Sequence, residues 1–152
     1  MDGLAKLIAR LTLGFVMLPH AASKLFTYRF ETPIGVFEGR GWSATIDLFT
    51  KQMHLPTWMA AAVILVEFLG ALALLAGFAT RLAAAGMIGI MIGAIVKVHF
   101  ANGFWMNWRG DQKGEGFEYH ILFIALALVV VLGGGGIGAA RRRSAAPSAA
   151  PQ

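Results

Sequence analysis

Apolar positions gather into four runs, separated by stretches where charge returns. The first covers residues 4–26, with its charge-free centre, LTLGFVMLP, between Arg10 and His20. The second, 58–78, is interrupted by Glu67 alone, and the third, 82–100, is free of charge as far as Lys97. The fourth, 119–138, is apolar after His120 and thins into GGGG ahead of Arg141, Arg142 and Arg143. A spanning helix needs about 20 mostly apolar residues, so the pattern predicts four of them. The expected fold is an all-α integral membrane four-helix bundle over residues 1–138, followed by a basic, low-complexity tail over 139–152.

The links add topology. GFATRL between the second and third runs is a tight turn, so those helices pair antiparallel. The other two links are longer and fall together on the opposite side. Thr57, after Pro56, is placed to cap the second helix. Gly89 and Gly93 form a GxxxG step on the third, expected to pack closely within the bundle. Gly133 to Gly136 are expected to fray the end of the fourth.

Composition agrees with a bilayer. Of 152 residues, 57% are hydrophobic and 14% charged, where soluble domains carry about 25% charge. The net charge of +5 does not point to nucleic acid, because the basic residues sit at the ends of apolar runs, where they set membrane orientation. There is no cysteine, which excludes disulfides, thiol chemistry and cysteine-ligated metal. No GxGxxG fingerprint or P-loop is present to hold a nucleotide.

A basic start, a short apolar stretch and the small residues Ala21 and Ala22 also describe a secretory signal peptide. AASKLF continues into aromatic and basic residues, however, and three remaining spans would part the termini. Four spans keep both termini on one side, with Lys6, Arg10, Arg81 and Arg141 to Arg143. Lys24, Arg29, Arg40, Lys51, Lys97, Arg109 and Lys113 lie on the other. The triple arginine and the short middle link favour cytoplasmic termini in a bacterial plasma membrane. Trp42, Trp58, Trp105 and Trp108 then form an aromatic belt on the far side.

Depth singles out the polar residues. Glu67 lies about 13 Å into the second run, at 1.5 Å per residue, near the membrane centre. His20 and Lys24 are four apart on the outer half of the first run, hence on one face, and Met17 and Arg10 extend that face inward. Lys97 and His99 close the third run; Glu118 and His120 open the fourth. An ionisable group in a span costs about 2.5–3.5 kcal/mol on insertion scales, so Glu67 is expected to face the bundle. Gly70 and Ala71 on its face would let a neighbouring helix approach. Glu67 either pairs with Lys24, His20 or His99, as a clasp that fixes helix register, or is protonated and donates a hydrogen bond. Glu67, His20, Lys24, His99, Glu118 and His120 are the candidate ligand or proton site, with Glu118 expected to turn inward. No HExxH-type spacing supports a metal, and no catalytic residue is assigned.

Residues 100–128, FANGFWMNWRGDQKGEGFEYHILFIALAL, resemble the DoxX family of small bacterial membrane proteins. The resemblance rests on His99, Gly103, Phe104, Met106, Asn107, Trp108, Gln112, Lys113, Gly114, Glu115, Gly116, Phe117, Glu118, Tyr119 and His120, with Trp105 in place of another aromatic. PHAASKLF is similar to a family segment through His20, Lys24, Leu25 and Phe26, with Ala21 where glycine is usual. VEFLGALALLAGFATR is similar to another through Glu67, Gly70, Gly77, Thr80 and Arg81. The resemblance implies a compact four-helix membrane bundle and a redox context. The family is named for a small subunit associated with an archaeal quinol oxidase and thiosulfate:quinone oxidoreduction. Some members are described as membrane partners of soluble sulfurtransferase and superoxide-detoxifying enzymes. The expectation is therefore a non-catalytic membrane subunit or anchor of an oxidoreductase complex, with quinone as candidate cofactor, the lipid bilayer and a soluble or membrane oxidoreductase as partners, and self-association left open. A permeation protein for a small solute or protons, or a purely structural membrane protein, is the alternative.

Overall fold

Buried positions in the first helix recur every three or four residues, the spacing of a single helical face. The computed structural model describes residues 3–140. In it, α1 (Gly3–Leu25) buries Ala9, Arg10, Leu13, Gly14, Met17 and Ala21 and continues through Pro19. α3 (Thr57–Ala76) packs along it, burying Ala60, Ile64, Glu67, Gly70, Ala71 and Leu74. α4 (Thr80–Ala94) runs on through a π-helical turn, Ile95–His99, and a 3-10 turn, Phe100–Asn102. α5 (Glu118–Gly133) returns alongside α4. Contacts run α1 to α3, α3 to α4, α4 to α5 and α5 back to α1, closing a ring around Leu13, Met17, Leu74, Met87, Ala127 and Val130.

Small residues set the helix separations. A side chain at Gly14 would meet Leu75 and the Ala71 carbonyl, and one at Gly70 would meet Met87 and Ala83. The glycines thus bring α3 close to α1 on one side and to α4 on the other.

Among the described residues, three segments are long and apolar enough to cross a membrane: Gly3–Leu25, Thr57–Ala76 and Thr80–Asn102. α5, with 16 residues, rises about 24 Å, short of the roughly 30 Å hydrocarbon thickness.

The first long link corrects the expected architecture. It holds an antiparallel hairpin, β1 (Thr27–Thr32) with β2 (Gly35–Arg40), and an interfacial-length helix, α2 (Gly41–Lys51). The protein is mostly helical but not strictly a four-helix bundle. TYRFET and GVFEGR carry the β-branched and aromatic residues that favour strands, with a four-residue turn, Thr32 to Gly35, between them. α2 buries Gly41, Thr45 and Phe49 and, with Ala60 and Ile64 of α3, forms a second, smaller core.

Other local expectations change as well. Thr57 is the first residue of α3, the cap position is Pro56, and no side chain caps the helix. Gly89 and Gly93 have nothing within 4 Å of an added Cβ, so the GxxxG step faces outward rather than into the bundle. α5 ends at Gly133, and the following residues fold back rather than fray. Ile137 N–H donates to the Gly3 carbonyl and Ala140 N–H to Gly77. The triple arginine and the tail after it lie outside the described residues.

Candidate functional site

Lys24 closes the last turn of α1 and Glu67 sits midway along α3, where the two helices are held close. The Lys24 ammonium donates to both Glu67 carboxylate oxygens, at 2.6 and 2.5 Å. The carboxylate side is 2% exposed and the lysine side 28%, so the pair is sealed at one end and open at the other. The Phe49 ring centroid lies 5.8 Å from Nζ, a cation–π contact that shields the ammonium from the side of α2. His20, one turn back on α1 and exposed, lies on the same helix face as Lys24.

The open end of the pair meets a cavity of about 220 Å³ between α1, β2 and α2. Ser23, Lys24, Glu38, Arg40, Thr45, Leu48 and Phe49 line it. Two of its hydroxyls are already committed: Ser23 donates to the His20 carbonyl and Thr45 to that of Gly41. Lys24 and Arg40 are the cationic groups on its wall. Glu38 adds a carboxylate to the wall, and Leu48 and Phe49 supply its apolar part.

The remaining candidates gather elsewhere, where the α4 segment ends and α5 begins. The His99 and His120 rings lie with centroids 4.2 Å apart, their planes tilted by 44°. His99 lies on the π-helical turn, and its Nδ1–H donates to the Glu115 carbonyl at 2.8 Å, while His120 Nδ1 is buried without a hydrogen-bond partner. Glu118 does not turn toward Glu67. Its carboxylate accepts the Met106 N–H at 3.3 Å, just as the Glu115 carboxylate accepts the Asn107 N–H at 2.7 Å. The two glutamates of KGEGFEYH thus accept from backbone amides of the link that precedes α5. The six candidates therefore form two groups: His20, Lys24 and Glu67, and His99, Glu118 and His120. Among the described residues no three His, Asp or Glu side chains converge on a metal-sized site.

Two features escaped sequence reading. The cavity walls from β2 and α2 lie in a link whose short elements were not foreseen; the recurrence of Ile46 and Phe49 with Met53 was the available signal. Arg10 is the other. It is 4% exposed, and its guanidinium donates to the Leu74 and Leu75 carbonyls at the end of α3 and to the Ile137 carbonyl. A cation at a helix C-terminus satisfies carbonyls that lack intrahelical partners and meets the negative end of the helix dipole. Arg81 likewise reaches the Leu132 carbonyl at the end of α5. Arg10 shares the buried stripe with Met17, and that was its sequence signal.

The DoxX family model matches residues 5–100. The matched stretch holds His20, Lys24, Glu67 and His99, while most of the motif leading into α5 lies beyond it. No curated protein and no solved structure matches.

Proposed function

The chain belongs to the DoxX family, and from that premise we propose that it is a membrane subunit or anchor of a redox complex, with the Lys24–Glu67 pair as a quinone-type or proton-handling site. One observation supports this reading above the others: a charged pair buried at its acid end and open, at its amine end, to a cavity bounded by the link elements. In this reading the Lys24 ammonium donates to a quinone carbonyl oxygen and Glu67 balances the charge or relays protons that the quinone takes up as it is reduced. His20 is the adjacent proton carrier. The termini lie in the cytoplasm, the cavity opens at the outer leaflet, and the partner is an oxidoreductase that supplies electrons.

The test is titration of a short-chain ubiquinone or menaquinone analogue against protein in nanodiscs, read by tryptophan quenching. Lys24→Met and Glu67→Gln should each weaken binding about tenfold or more, or about 1.4 kcal/mol. Unchanged binding in folded samples of both variants overturns the quinone assignment.

A second reading is favoured by the bidentate closure of the pair: a static clasp between α1 and α3. It expects Glu67→Gln to lower the unfolding temperature with no effect on any ligand. Proton or solute flux in proteoliposomes that disappears in Glu67→Gln would instead favour permeation.

A further inference from the structure

The β1–β2 hairpin begins two residues after α1 ends and runs directly into α2. Its pairing places Phe30 opposite Phe37 and Arg29 opposite Glu38. Side chains alternate across a strand, so Tyr28, Phe30 and Phe37 share one face while Arg29, Glu31 and Glu38 share the other. On the aromatic face, Phe30 stacks on Phe37 at 5.3 Å and meets Tyr28 at 5.5 Å. On the charged face, Arg29 pairs with Glu38 at 3.2 Å in the open.

Only the base of the hairpin is packed. Gly39 is buried there, beneath the Tyr28 ring. Farther out, Phe30 is 51% exposed and Ile34 at the tip 87%. A two-stranded hairpin with neither face covered is marginal in water and needs a third strand or an apolar surface to pack against.

We propose that this hairpin lies in the membrane interface, with its aromatic face and Ile34 tip seated among lipid headgroups and upper acyl chains. The lipid-facing surface leads straight to it. Phe26, half exposed at the end of α1, packs edge-on against Phe68 of α3 at 5.7 Å, and the strand starts at the next residue. The tip sequence TPIGVF carries no charge between Glu31 and Glu38, and the aromatic and charged faces are separated as in elements that rest in the interface plane. A bilayer is present wherever α1 is inserted, so the hairpin needs no other partner to be covered.

The natural chain has no cysteine, so Ile34→Cys and Phe30→Cys each place a single spin label. In phosphatidylcholine–phosphatidylglycerol vesicles, collisions with oxygen and with a water-soluble nickel chelate report depth. Labels at residues 30 and 34 should favour oxygen several-fold over the chelate, while Glu38→Cys should favour the chelate. Residues 30 and 34 as open to the chelate as a label at Asp111→Cys would overturn the proposal. Shielding from both reagents would also overturn it, pointing to a second copy on this face. Neither result bears on quinone binding at Lys24.

Discussion

At the scale of single residues, burial decides what each charge does. Glu67 is sealed from solvent and Lys24 is its one cationic hydrogen-bond partner in the described residues. Lys24→Met would leave a carboxylate buried without compensation, which costs about 3–5 kcal/mol. Replacing both, as Lys24→Met with Glu67→Leu, should recover most of that loss, because apolar groups of similar volume often substitute for a buried pair. Unfolding of the two variants in one detergent checks both expectations. Arg10 makes a different case, since its partners are carbonyls rather than a carboxylate. Arg10→Met should destabilise by about 2–4 kcal/mol, the scale of removing hydrogen bonds to a charged group and leaving buried acceptors unpaired. Arg10→Lys should rescue only in part, because one ammonium does not reproduce a guanidinium fork that reaches three carbonyls. The thermal midpoints of the three proteins give the order.

At the scale of elements, turn geometry and side-chain-to-backbone bonds set where helices stop. α3 ends at Gly77, whose φ of 77° lies in the left-handed region, and an added Cβ would meet the Arg10 guanidinium and the Gly138 carbonyl. Gly77→Ala should therefore cost more than the roughly 1 kcal/mol of conformational strain alone, measured as the shift in thermal midpoint. The link before α5 is held differently. Glu115 binds through both its carboxylate and its carbonyl, to Asn107 N–H on one side and to His99 and Asn102 on the other. Glu115→Gln removes charge but keeps an acceptor, whereas Glu115→Ala removes the acceptor. Hydrogen exchange over residues 103–117 should rise more in Glu115→Ala than in Glu115→Gln. Equal rates would assign the ordering of this link to its backbone contacts alone.

For the whole molecule, helix order sorts the links between the two ends of the bundle. α1, α3, the α4 segment and α5 run alternately in direction around one core. The hairpin, α2 and the link before α5 must share one end, and the turn at Gly77 the other. With cytoplasmic termini, single cysteines at Lys51, whose side chain is 72% exposed, and at Asp111 should react with a membrane-impermeant maleimide in intact cells, and one at Ala79 only after permeabilisation. The reverse pattern would invert the proposed orientation while leaving the Lys24–Glu67 pair intact.

Long apolar runs were decisive in the sequence because the bilayer imposes length and satisfies nothing polar; α1, α3 and the α4 segment follow from that rule alone. The inward face of Glu67 was legible too, since a lone carboxylate at that depth must find the bundle. Its choice of Lys24 over His20 or His99 was not, because that depends on how α1 crosses α3 at Gly14 and Ala71. Nor was the turning of Glu118 toward Met106 legible: depth along a helix fixes height, whereas rotation about its axis is set by packing. The hairpin and α2 were missed because the rule for spans ignores elements of 6 to 11 residues, whose stability comes from the surface they meet. Sequence by itself determined that the chain is a membrane protein with long apolar helices and where along each run its charges fall. Tertiary structure decided which charges meet, because partner choice depends on helix crossings that no single-chain periodicity encodes.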